Sequence, residues 1–162
     1  MPRTLETATV WIAKSAWTAL VTESDRQWPL ETGGILVGYR AGSDYVITAV
    51  IGPGPDARHF PRAFLPDADW QTHRLAEAYT QSERRHTYLG DWHTHPQGAA
   101  ILSRTDKRTL RRVARFEAAR CALPLMLLLA GGKPWRLRAF RQVDAKPPAR
   151  RIRPASVCQY AD

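Results

Sequence analysis

The segment from Gly90 to Asp106, which reads GDWHTHPQGAAILSRTD, constrains the fold of this chain more than any other. Because side chains alternate between the two faces of a β-strand, His93 and His95 would project from the same face. A proline then ends the strand. Ser103, followed three residues later by Asp106, is a typical opening of a helix. The segment therefore predicts a strand, a turn and a helix that bring two imidazoles and a carboxylate together.

Two histidines and one carboxylate form the ligand set of a catalytic zinc site, which leaves a fourth position open to water. Each half of the pattern also has a simpler interpretation, because His-x-His is common and Ser-x-x-Asp can be only a helix cap. Their combination with Glu31 upstream favours a metal site. We predict one zinc ion per chain, held by His93, His95 and Asp106.

At these residues the sequence resembles the JAMM (MPN-plus) zinc metalloprotease family. The family signature is a glutamate, then His-x-His-Pro, a loop and Ser-x-x-Asp. It falls without a gap on Glu31, His93, His95, Pro96, Ser103 and Asp106. The looser resemblance extends from about residue 9 to about residue 140. It implies an α/β fold with a single mixed, curved β-sheet flanked by helices, of JAMM/MPN-like and deaminase-like topology.

The signature also suggests a role for each residue. Zinc would lower the pKa of bound water toward about 7. Glu31 would accept the proton of that water and later pass it to the departing amine, and Ser103 would donate to the oxyanion. Without the downstream motif, Glu31 would be interpreted as an ordinary surface carboxylate at the edge of a strand.

The resemblance implies that the substrate is a ubiquitin-like protein or its conjugate. The enzyme would hydrolyse the isopeptide bond between the C-terminus of that protein and a lysine amine, or process a precursor. Short bacterial relatives occur beside activating and conjugating enzymes, including those of antiphage defence, so these enzymes are candidate partners. Two alternatives stay open: a metallohydrolase acting on a sulfur-carrier protein or a small-molecule adduct, and a nucleic-acid-binding module that uses the basic C-terminal third.

Other metal chemistries lack residues that they need. Non-haem iron oxygenases and cupins normally use a further histidine downstream, and no histidine follows His95. A cytidine-deaminase site needs a Pro-Cys-x-x-Cys motif, which is absent.

The net charge of +9 is concentrated near the end of the chain, where residues 107–162 contain fourteen basic and three acidic residues. We interpret this as a solvated face or a dock for a protein. No recognised nucleic-acid motif accompanies it, so we do not expect nucleic acid as a partner.

The length of 162 residues favours one domain. We predict a JAMM/MPN-like domain over residues 1–144 and a basic, proline-containing tail over residues 145–162, extended or disordered. The chain has neither a long apolar run nor an N-terminal secretory signal, so we expect a cytoplasmic protein without a membrane segment. Cys121 and Cys158 form no metal-binding or disulfide motif and are expected to be reduced.

Local patterns place the remaining elements. Strands are expected over residues 9–12, 35–37, 45–51, 87–93 and 123–130, with an edge strand over 135–141. Helices are expected over residues 16–23, 67–84 and 103–120, the first capped by Ser15. The proline-rich loop 53–66 is a candidate wall of a substrate groove. We do not expect His59, His73 or His86 to bind metal.

Overall fold

The computed structural model describes residues 7–144 and 151–162. The strands are β1 (Thr9–Ala13), β2 (Gly33–Ala41), β3 (Asp44–Ile51), β4 (Arg58–Phe60), β5 (Ala63–Leu65), β6 (Thr87–Pro96), β7 (Leu125–Gly131), β8 (Trp135–Gln142) and β9 (Ile152–Tyr160). The helices are α1 (Lys14–Gln27), α2 (Ala68–Gln81) and α3 (Arg104–Arg115), and a short 3-10 helix covers Glu117–Ala119.

Seven strands form one mixed sheet, in the order β1, β3, β2, β6, β7, β8, β9. The pairs β1–β3, β1–β9 and β6–β7 are parallel, and the others are antiparallel. The predicted α/β class and mixed sheet are therefore confirmed. The sheet differs from the expected open, curved sheet in being a closed barrel, because β9 bridges β8 and β1.

The C-terminal segment closes this barrel. Residues 152–160 are extended, as expected for the predicted tail, but they pair with β8 on one side and with β1 on the other. They are thus part of the fold, and β8 has a neighbour on both sides instead of being the predicted edge strand. The side chain of Ser15 also donates a hydrogen bond to Asp162 instead of capping α1. The other part of the predicted tail, residues 145–150, lies outside the described residues.

Two apolar clusters share β7. Leu125, Leu127 and Leu129 face the barrel interior, where they join side chains of β1, β3 and α1. Met126 and Leu128 face the outside and pack beneath α3. A strand that is buried on both faces has a continuous apolar sequence, and β7 confirms the prediction of a central strand there.

No helix in the described part of the chain is long and apolar enough to cross a membrane.

Candidate metal centre

Three potential metal ligands converge between β6 and α3, as the sequence predicts. His93 Nε2 lies 3.1 Å from Asp106 Oδ1, and His95 Nε2 lies 3.3 Å from Asp106 Oδ2. The two Nε2 atoms are 3.1 Å apart. Among the described residues, this is the group of His, Cys, Asp and Glu side chains that could hold a metal ion.

Strand β6 fixes both histidines. His93 is paired with Leu128 of β7 and with Gly33 of β2, and His95 is paired with Ala130 of β7. Because the two histidines are two positions apart along the strand, both imidazoles leave the same face of the sheet. The rigid sheet therefore sets the separation of the two rings.

The capping box of α3 fixes the carboxylate. Ser103 Oγ accepts a hydrogen bond of 3.1 Å from the Asp106 amide, and Asp106 Oδ2 accepts one of 2.7 Å from the Ser103 amide. Buried Leu110 on the same helix packs against β7 and anchors α3 to the sheet. The helix opening thus orients the carboxylate that faces the histidines.

These donors fit a divalent zinc ion. His95 Nδ1 lies 3.2 Å from the Ala99 carbonyl, which can only accept, so Nδ1 carries the proton and the Nε2 lone pair is free to bind metal. Ligands at 2.0–2.1 Å from a tetrahedral zinc are about 3.3 Å from one another, close to the separations found here. Two imidazole nitrogens and a carboxylate facing one another at this distance are the nitrogen and oxygen donors that zinc prefers.

The electrostatics keep Asp106 ionised. Burial alone would raise the pKa of Asp106, but the adjacent imidazoles of His93 and His95 hold it well below its usual range. The same contact with Asp106 raises the pKa of His95. Asp106 is thus a carboxylate at neutral pH and is ready to bind a cation.

Glu31 lies beside these ligands, two residues before β2 begins. Neighbouring Thr32 fixes the segment to β6, since its amide donates to Thr94 Oγ1 at 3.0 Å and its carbonyl accepts from the Thr94 amide at 2.9 Å. Burial raises the pKa of Glu31, and the nearby His93 and His95 partly offset that rise. Glu31 is therefore a half-buried carboxylate with raised proton affinity.

Two adjoining cavities meet at this centre. The larger, of about 740 Å³, is lined by Glu31, His95, Ser103 and Asp106 among others. The smaller, of about 360 Å³, lies toward β5 and α3 and is lined in part by His93. The residues common to both are Glu31, Arg62, Thr105 and Asp106. A substrate could thus extend to either side of Glu31 and the three potential ligands.

The remaining histidines lie elsewhere. His73 on α2 is 3.4 Å from Glu77, and His86 is 3.2 Å from Thr48 Oγ1. His59, which was expected to be a loop residue, lies instead on β4 with its Nδ1 atom 2.9 Å from the Glu31 carbonyl oxygen. A contact with a backbone atom leaves no pattern in the sequence, so no motif could have revealed it.

Residues 13–143 match the protein family described as prokaryotic homologs of the JAB domain. This chain belongs to that family. The JAB-domain chain is 39% identical over 125 residues to a protein of Sinorhizobium fredii named "Probable metalloprotease y4qB", and the match covers 76% of each chain. It is 34% identical over 104 residues to a protein of Vibrio cholerae named "CD-NTase/cGAS isopeptidase", which covers 64% of this chain and 63% of that protein.

These findings confirm that the JAB-domain chain is a JAMM-type metallopeptidase. Its fold is similar to the solution structure of protein DSY2949 from Desulfitobacterium hafniense, with a TM-score of 0.69 over 94% of both chains. At 18% sequence identity, that likeness concerns the fold alone.

Proposed function

We propose that this JAB domain is a zinc-dependent isopeptidase that cuts between the C-terminus of a ubiquitin-like protein and a lysine amine. The observation that carries the proposal is the convergence of His93, His95 and Asp106 beside Glu31 at the junction of two cavities. The isopeptidase name of the Vibrio cholerae relative supports this bond type, and it makes a conjugate of a CD-NTase a candidate target.

Each residue has a role in this reaction. His93, His95 and Asp106 would hold zinc, which supplies Lewis-acid chemistry when it is bound. Glu31 takes a proton from the attacking water and delivers it to the departing lysine amine. Its raised pKa suits both steps, because a general base works best when its pKa is near the working pH.

Ser103 donates a hydrogen bond to the oxyanion that forms at the scissile carbonyl. Its capping bond uses the hydroxyl oxygen as an acceptor, so the O–H group can still donate to a substrate. The side chain is exposed and lines the larger cavity together with Glu31 and Asp106.

The closed barrel restricts where an extended tail can bind. A strand adds to a sheet only at an edge that still has free backbone groups, and the seven-stranded barrel closes on itself. Among the described strands, β5 pairs only with β4, and its residues Ala63 and Phe64 line the smaller cavity. The tail of the ubiquitin-like protein therefore pairs with the outer edge of β5.

The hairpin formed by β4 and β5 also offers a surface for the folded body of that protein. Phe60 and Leu65 lie on its outer face with 44% and 50% of their surface exposed. Exposed apolar side chains of this size beside a cavity are typical of a protein-binding surface. The predicted groove wall at residues 53–66 is in this proposal the part that grips the substrate body.

The test is cleavage of a conjugate in which the C-terminus of a ubiquitin-like protein is joined to a lysine of a target protein. The wild type with one zinc per chain, measured by elemental analysis, should release the target protein. Glu31→Gln should keep the zinc and lose about 10² to 10⁴ in kcat, and His95→Ala should lose the zinc. If the zinc-loaded wild type leaves the conjugate intact but cuts an unstructured peptide with the same tail, the enzyme is a general peptidase.

A second measurement tests the hairpin. Phe60→Asp should raise KM for the folded conjugate at least tenfold while leaving cleavage of a short isopeptide unchanged. Phe116→Asp is the matched control, because Phe116 is also exposed (62%) but lies at the end of α3 instead of on the hairpin. Equal effects of the two variants would exclude the hairpin as the gripping surface.

A further inference from the structure

The β4–β5 hairpin binds the backbone of Glu31 at two points. The Glu31 amide donates to the Phe60 carbonyl at 2.8 Å, and the Glu31 carbonyl oxygen lies 2.9 Å from His59 Nδ1. Because a carbonyl oxygen only accepts, the imidazole must be the donor of the second bond. Both backbone polar groups of Glu31 are therefore held by two successive residues of β4.

Glu31 needs this support because it lies outside the barrel ladder. The pairing of β2 with β6 begins at Gly33, opposite His93, and the Thr32–Thr94 bonds extend the contact by one residue only. One residue further out, the hairpin takes the place of a neighbouring strand. The His59 bond thus holds the carbonyl side of the peptide group between Glu31 and Thr32, whose amide is bound by Thr94 Oγ1.

The ring of His59 is itself held in place. It stacks on Phe64, with ring centroids 6.4 Å apart and planes at 12°. Phe64 lies directly over Gly33, where an added Cβ would come within 2.5 Å of Phe64 Cζ. The inner face of the hairpin, formed by His59 and Phe64, therefore rests on the segment from Glu31 to Gly33. Gly33 is the residue of β2 that pairs with His93.

We propose that His59 is a positioning residue that aims the carboxylate of Glu31 through its backbone carbonyl. The inference rests on the proposed function, in which Glu31 is the base. His59 touches no potential metal ligand by any hydrogen bond in the described residues, and its Nδ1 proton is committed to Glu31. Displacement of a catalytic group by about 1 Å can cost about 10² in rate, so loss of this bond lowers kcat.

Two substitutions separate the hydrogen bond from the ring contact. His59→Phe keeps a flat ring against Phe64 but removes the donor. His59→Asn loses the stacking but places an amide N–H close to the position of Nδ1. We expect kcat for the conjugate to fall by about 10- to 100-fold in His59→Phe, with KM within twofold of wild type and one zinc per chain retained. His59→Asn should recover most of that loss.

A double-variant cycle tests whether His59 acts through Glu31. In a Glu31→Gln background, His59→Phe should cause no further loss, because the group that it positions no longer transfers protons. A wild-type kcat in His59→Phe, a failure of His59→Asn to recover activity, or an additional loss in the Glu31→Gln background would each overturn the proposal.

Hydrogen exchange separates this inference from the proposed function. The Thr32 amide belongs to the peptide group whose carbonyl binds His59, so it should exchange at least tenfold faster in His59→Phe than in wild type or His59→Asn, whether or not the conjugate is a substrate. Unchanged exchange would show that His59 does not hold this peptide group. A zinc-loaded wild type that leaves the conjugate intact would instead count against the proposed function alone.

Discussion

Ser103 combines a role in folding with a role in the proposed chemistry, and the two can be separated. As N-cap of α3 it satisfies the Asp106 amide, and as a hydroxyl it faces the larger cavity. We expect Ser103→Ala to lose about 1 kcal/mol of stability, and Ser103→Gly only a few tenths, because glycine is tolerated at N-caps. Both variants should lose about 10² to 10³ in kcat through the missing donor.

Urea unfolding and steady-state kinetics on the two variants decide this point. A loss of kcat that follows stability, large in the alanine variant and small in the glycine variant, would mean that Ser103 acts only as a cap.

The two cysteines should differ sharply in reactivity. Burial raises the pKa of the Cys121 thiol to about 12, whereas Cys158 is exposed on β9. The thiolate is the reactive form, so at pH 8 only about 10⁻⁴ of the Cys121 thiol can react. Mass spectrometry should show iodoacetamide modifying Cys158 first and Cys121 only after unfolding in guanidinium.

Each unit of pH above 8 should speed the Cys121 reaction about tenfold, because the thiolate fraction rises by that factor below the pKa. In Cys158→Ser the fast phase should vanish. Modification of native Cys121 at the rate of Cys158 would contradict the burial of this thiol.

Residue identities could be predicted where they form a local pattern. The set His93, His95 and Asp106 lies within 14 positions, and the periods of a strand and a helix opening are enough to bring the three side chains together. His59 has no such pattern, because its partner is a carbonyl group 28 residues away that any amino acid could supply. The proton-transfer and oxyanion roles of Glu31 and Ser103 stay predictions that the kinetic variants test.

At the level of the strands, β6 contains a β-bulge a few residues before the two histidines. Leu36 pairs with Gly90 and Val37 with Tyr88, so Leu89 is the extra residue on β6. Gly90 has φ of +145°, and a Cβ there would lie 1.8 Å from the Leu125 carbonyl oxygen. The next strand therefore leaves no room for a side chain at this position.

Gly90→Ala should lower the free energy of unfolding by more than about 3 kcal/mol, since it combines backbone strain with a clash against β7. Gly42→Ala is the control. Gly42 also has positive φ (+62°), but no atom lies within 4 Å of its added Cβ, so it should cost only about 1 to 2 kcal/mol. Equal losses in urea unfolding would show that strain alone governs both positions.

Elements with a strong local sequence pattern were predicted well, whereas elements that depend on tertiary contacts were not. The apolar run of β7 and the capping box of α3 identify both elements from local sequence. Strands β4 and β5 have three residues each and lie among prolines, so nothing in loop 53–66 indicated a hairpin. They are strands because they pair with each other and rest on Gly33 and Glu31.

For the whole molecule, the decisive difference from expectation is the closure by β9. Ile152 packs into the cluster beneath α3, whereas Ala155 and Val157 pack against the barrel core. These opposite faces are what the alternation of a strand requires, but each face of β9 carries few apolar side chains, and Pro154 with its flanking arginines interrupts the pattern in the sequence. The sheet was expected to be open because the sequence did not indicate β9. A sheet without β9 would end at β8 and β1.

Val157→Asp should therefore destabilise the entire domain by about 2 to 4 kcal/mol, because it places a charge against the barrel core. Cys158, the exposed neighbour on the opposite face of β9, provides the control. Cys158→Ser should change stability by no more than about 0.5 kcal/mol. Both are measured by urea unfolding. If Val157→Asp matched the control, β9 would contribute little to the fold.

The pairing of β1 with β9 also governs when this protein can fold. Val10 lies beside Val157 and Ser15 is hydrogen-bonded to Asp162, so residues at opposite ends of the sequence must meet. During synthesis, β1 leaves the ribosome long before its partner has been translated. Contacts of such long sequence separation form slowly, and the nascent chain must keep one side of β1 unpaired until β9 has been translated. The histidines and the carboxylate, by contrast, lie within one short segment that emerges together.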